Sequence, residues 1–118
     1  MRLLNKFKLS PLVALVDIKT FGEKENAIIA SIGCVIVNVV ELRVVDEFYI
    51  RCQTEFQIKR SSDETSIAFW RQQQFANPSA WHELFSPKLP RIPLIQALQQ
   101  LSDFIHQHFP ANSAIQVM

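Results

Sequence analysis

Charge of one sign is missing from this sequence. Lys and Arg total 12 against 11 Asp and Glu, a net charge of +1. Such balance gives no global electrostatic pull toward nucleic acid. Long apolar runs are missing too. None reaches the roughly 18 residues of a membrane-spanning helix, so no membrane partner is expected. Cysteine is sparse: Cys34 and Cys52 both sit in apolar, strand-like runs. Buried reduced thiols are the ordinary reading, since nothing indicates export to an oxidising compartment. Neither Cys-x-x-Cys nor His-Glu-x-x-His spacing occurs. The start, Met1 to Lys8, is basic and partly apolar. It lacks a long apolar segment followed by a small-residue cleavage site, so no signal peptide is expected and the cytoplasm is the default compartment. There is no internal repeat and no low-complexity linker. What remains is 118 residues, 48% hydrophobic and 19% charged. That composition suits one folded domain burying roughly two-thirds of its surface.

The pattern along the chain predicts a mixed α/β fold. Leu12 to Ile18 reads as a short buried strand, apolar on both faces as a central strand is. A turn follows over Phe21 to Asn26, carrying Gly22. Ala27 to Val40 reads as a second strand and Val44 to Cys52 as a third, joined by a hairpin at Glu41-Leu42-Arg43. Gln53 to Ser62 is polar and reads as a loop. Asp63 or Ser62 caps a helix from Glu64 to Phe75. Asn77-Pro78 breaks it, and Pro78 suits the first turn of a short second helix through Phe85. Three prolines keep Ser86 to Ile92 irregular. Leu94, Ala97, Leu98, Leu101, Phe104 and Ile105 then recur at helical spacing, an amphipathic helix that Pro110 ends. Ala114 to Met118 reads as the start of a fourth strand.

One stretch carries chemistry. Val13-Ala14-Leu15-Val16-Asp17-Ile18-Lys19-Thr20 is an apolar run ending in an acid, and Asn26 to Cys34 contains Ser31-Ile32-Gly33. This resembles the first motif of the 3'-5' exonucleases of the four-carboxylate (DEDD) superfamily, on the ribonuclease H-like fold. There the pattern runs Asp, aliphatic residue, Glu, Thr, then a loop and Ser-Ile-Gly. The later segments Asp63 to Trp70 and Leu94 to Leu101 are similar to helices of the exonuclease VIII and exoribonuclease-like members. The resemblance implies an N-terminal extension over residues 1–11. Over residues 12–118 it implies the N-terminal half of a ribonuclease H-like domain: three strands, two to three helices and the start of a fourth strand.

The resemblance also implies a two-ion site, and here the sequence departs from it. Alternate residues of a strand point to one face, so Asp17 and residue 19 project together. Two carboxylates there would hold a pair of Mg²⁺ or Mn²⁺ ions that activate water. Position 19 is Lys19, which supplies donors and no acceptor. A divalent ion about 4 Å from a unit charge feels about 8 kcal/mol at an effective dielectric of about 20, and Glu to Lys reverses its sign. Of the family's four metal-binding carboxylates only Asp17 is matched, and a lone carboxylate is a poor Mg²⁺ site. No cofactor is therefore expected.

Other residues read as structure. His82, His106 and His108 read as solvent-facing, the last two near a helix C-terminus where they suit its dipole. Ser31 and Ser61 lack a His–Asp constellation. Trp70 reads as packed on the sheet and Trp81 as partly buried; stacking on bases is the alternative. Lys59, Arg60 and Arg71 could meet phosphate, but read as a solvated face diluted by Asp63 and Glu64. The expectation is a truncated, catalytically inactive exonuclease-like protein of phage or prophage type, with Asp17 as a relic and weak or no nucleic-acid binding. One alternative is a nuclease half completed by another polypeptide. Another is a non-enzymatic binding module that forms a homo-oligomer.

Overall fold

The computed structural model describes residues 11–57 and 59–109. Three strands come first: β1 (Leu12–Thr20), β2 (Ile29–Asn38) and β3 (Arg43–Arg51). Three helices follow: α1 (Glu64–Ala76), α2 (Pro78–Phe85) and α3 (Leu94–His108). The sheet order is β1-β2-β3. Val39 N–H donates to the Pro11 carbonyl at 3.0 Å and Phe21 N–H to the Ile28 carbonyl at 2.9 Å, which sets β1 and β2 antiparallel. The expected stop at Pro110, the strand over Ala114–Met118 and most of the N-terminal extension lie outside the described residues.

The chain divides into two compact units. The first comprises, of the described residues, 11–17, 33–49 and 98–109. Its core is Ala14, Cys34, Ile36, Phe104 and Phe109. These meet because β1 and β2 present every second residue to one face, while α3 presents positions at helical spacing. Phe104 stacks in a tilted arrangement on Phe48 of β3, ring centroids 5.4 Å apart. Each fully buried aromatic contributes about 1.5–3 kcal/mol. His108 is not solvent-facing as the sequence suggested. Its Nε2 lies 3.0 Å from Asp46 Oδ2 on β3, and its side chain is 18% exposed. The partner stands 62 residues away, so no local pattern signalled it.

The β2–β3 turn also belongs to this unit. β2 stops at Asn38, not Val40, because the Asn38 side chain captures the turn. Its Oδ1 accepts from Val40 N at 3.0 Å and Glu41 N at 2.9 Å. Leu42 takes φ 55°, the left-handed region, with 85% of its surface exposed.

The second unit comprises residues 18–32, 50–57 and 59–97. The loop predicted over 53–62 is anchored through backbone pairs. Ala27 bridges Ser61 and Cys52 bridges Ile92, both in parallel register. Asp63 caps α1, its carboxylate accepting from Ser66 N at 2.8 Å. Asn77 ends α1 through its own N–H to the Gln73 carbonyl, and its side chain caps α2 at Ala80 N. Pro78 fills the first turn of α2, where its missing N–H costs nothing. Helix α1 has no buried residue. Trp70 and Trp81 are half-buried as expected. The Trp70 indole N–H donates to the Thr20 carbonyl at 3.1 Å. Phe85 centres an aromatic cluster, stacked on Phe21 at 5.6 Å and on Trp81 at 5.4 Å. Cys34 in the first unit and Cys52 in the second are both free and buried, and burial pushes their thiols up, away from reactive thiolate.

Candidate functional site

Asp17 lies on the face of β1 that alternates away from the Ala14 and Val16 side. It is exposed and lines a shallow groove of about 360 Å³. Strand alternation assembles this groove. Leu15 and Asp17 come from β1, Gly33 and Val35 from β2, and Glu47 and Tyr49 from β3. Gly33 makes it a notch: a Cβ there would come no closer than 3.8 Å to any neighbour, so the space above the strand is open. Leu15 is 40% and Tyr49 42% exposed, so the apolar floor meets solvent. Glu47 and Tyr49 had not been singled out from sequence. Their period-two spacing in β3 was the available signal, but only the strand register ties them to Asp17.

Lys19, two residues beyond Asp17 along β1, is half-buried. Beyond it the strand enters a tightly tied corner of the second unit. Thr20 Oγ1 donates to the Gly22 carbonyl at 2.7 Å. Gly22 is buried, and a Cβ there would come within 3.2 Å of both Ala27 Cβ and Asp63 Oδ2. That close approach is why the turn carries glycine. Asp63 receives Glu23 N at 2.9 Å as well as Ser66 N. Hydrogen bonds from Ser66 and then Glu23 hold its carboxyl below the usual range. This aspartate is spent on structure.

The residues present do not fit the two-ion centre that the motif resemblance implies. Lys19 puts a cation where the second acid would stand, and a cation neither ligates a divalent ion nor tolerates one nearby. Among the described residues no cluster of three or more His, Cys, Asp or Glu side chains could hold a metal. His82 and His106 are exposed and stand apart from Asp17 in sequence and element. Of the basic residues, Lys59 and Arg71 are exposed, but Arg60 is half-buried and donates to the Ala27 carbonyl at 3.1 Å. Ser31 is buried, and Ser61 Oγ bonds Asn26 Oδ1 at 3.0 Å. No described helix is long and apolar enough to cross a membrane.

Comparison with known proteins now bears on this geometry. No curated protein is significantly similar to the chain. Among solved structures it resembles the nuclease domain of 3'hExo, a DEDDh family member bound to rAMP. The TM-score is 0.57 at 13% identity, over 92% of this chain and 50% of that one. A 3'-exonuclease structure described by its 3'-end specific recognition of histone mRNA stem-loop gives a TM-score of 0.58 at 13% identity, over 92% and 45%. A full-length 3'-exonuclease gives 0.57 at 14%, over the same shares. At these identities the likeness is one of fold, and the chain spans about half the length of the structures it matches. The three-stranded mixed α/β arrangement is thus part of the DEDD exonuclease fold. The family model for the 3'-5' exoribonuclease Rv2179c-like domain matches residues 13–118, and the chain belongs to that family.

Proposed function

We propose that this chain is an exonuclease-like domain that does not itself hydrolyse phosphodiester bonds. One observation carries the reading: Lys19 occupies the position where the motif requires its second acid. Family membership supplies the context, because it makes Asp17 the motif's first carboxylate. Asp17 without that partner is a relic, and its charge and that of Lys19 sum to zero. The chain therefore binds no catalytic ion by itself and has weak or no affinity for nucleic acid. Calorimetric titration with Mg²⁺ and with Mn²⁺ tests this. No heat removable by Asp17→Asn is expected, and a site lost in that variant would overturn the reading.

A second reading, a half-domain completed by a second copy or another polypeptide, draws on a different observation. Strand β1 is apolar on both faces, yet stands at one end of the strand order among the described residues. Unpaired edges invite pairing. Light scattering of the purified chain should give a dimeric or larger mass. A monodisperse monomer would remove the second copy as the completing partner.

A further inference from the structure

We infer that the Asp17 groove is a docking site for the chain's own N-terminal segment, residues 1–10. This is independent of whether the domain cleaves anything. The groove has an apolar floor of Leu15, Val35 and Tyr49, deepened where Gly33 has no side chain. The charged side chains in its lining are Asp17 and Glu47, both exposed carboxylates, with no cation among them. An occupant that fits brings apolar side chains for the floor and cations for the rim.

The first ten residues have that composition. Met1-Arg2-Leu3-Leu4-Asn5-Lys6-Phe7-Lys8-Leu9-Ser10 holds Leu3, Leu4, Phe7 and Leu9 together with Arg2, Lys6 and Lys8, and has no acid. The rest of the sequence carries 9 Lys and Arg (12 less these three) against all 11 acids, so the cationic excess is concentrated in this segment. Reach is sufficient. Pro11 opens β1, and Asp17 lies six residues along it, about 20 Å at the rise of an extended strand. Ten residues span up to about 33 Å when extended. Tethering makes even a weak contact well populated, because a short linker gives a high effective concentration. A second copy laid face to face on this groove fits less well. It would set Asp17 and Glu47 against their own duplicates, and like charges across an interface are repulsive.

A nitroxide at position 3 of the full chain tests the inference. Cys34 and Cys52 are buried, so Leu3→Cys offers the accessible thiol. In the isotopically labelled protein, the amides of Leu15, Val35 and Tyr49 are expected to lose most of their intensity, recovered on reducing the nitroxide. The triple variant Arg2→Glu/Lys6→Glu/Lys8→Glu changes no residue of the folded units and should abolish the loss. Full intensity at those amides in the labelled parent would overturn the inference. So would a loss that survives the charge reversal. A loss seen equally when spin-labelled chains without isotope are mixed with isotope-labelled chains without nitroxide would place the segment on a second copy, and would overturn docking within one chain.

Discussion

The Gln57 side chain satisfies both backbone groups of Ile29. Its Oε1 accepts from Ile29 N at 2.8 Å, and its Nε2 donates to the Ile29 carbonyl at 2.7 Å. A third bond from Nε2 reaches the Gln53 carbonyl at 2.9 Å. The amide thus stands where a neighbouring strand would stand at the start of β2. Gln57 is 9% exposed, so these groups have little recourse to water. Replacing it with Leu leaves them unpaired and should cost about 2–4 kcal/mol, from a penalty of about 1–3 kcal/mol per stranded buried group. Urea denaturation measures this. A loss below about 0.5 kcal/mol, the size of an ordinary surface effect, would mean that water replaces the amide.

Leu42 offers a change in the other direction. Its φ of 55° puts a branched, 85% exposed side chain in the left-handed region. That conformation costs an L-residue about 1–2 kcal/mol, and Asn tolerates it better. Leu42→Asn should raise stability by about 1 kcal/mol and remove an exposed apolar side chain. Thermal and urea unfolding both read the gain; a decrease would show that Leu42 makes a contact worth more than its strain.

How much of this was legible in the sequence depends on the distance over which each residue acts. Strand β1 was readable because seven of its nine residues form one apolar run with an acid in it. Its extension to Thr20 was not, because the Thr20 carbonyl is held by Trp70, fifty residues on. Asp63 as a cap and Pro78 as a first-turn residue were readable, since both act within four residues. Gln57 was hidden in a polar stretch that looks like any loop. Its role exists only once β2 lies alongside. The same holds for His108 with Asp46. At the candidate site, Asp17 and Lys19 are one strand's alternation and were visible, whereas Glu47 and Tyr49 join them through register, which composition does not encode.

Two aspartates should shape the acid limb of stability. The hydrogen bond with His108, then that from Glu47 N, lowers Asp46 from its ordinary 3.8. Hydrogen bonds from Ser66 and then Glu23 lower Asp63 from the same value. A carboxyl whose folded pKa lies below its unfolded one stabilises fully above the unfolded value. That contribution is lost as pH falls through the folded value. Stability should therefore drop below pH 3.8, and less steeply in Asp63→Asn, which keeps a capping side chain. Asp46→Asn should flatten the same limb independently. Unfolding midpoints measured from pH 6 down to pH 2, the range spanning both carboxyls, check this; an unchanged slope in both variants would contradict it.

The absence of catalysis is the claim on which the account rests. It is tested most directly by a single-turnover assay on 3'-labelled single-stranded RNA, with the protein in excess and Mn²⁺ present. No nucleotide release above a protein-free control is expected from the parent chain, and Lys19→Glu alone should not restore it, because it supplies only one of the three carboxylates the motif set lacks. Release by the parent chain that Asp17→Ala abolishes would contradict the account, since it would mean that Asp17 holds a working ion beside Lys19.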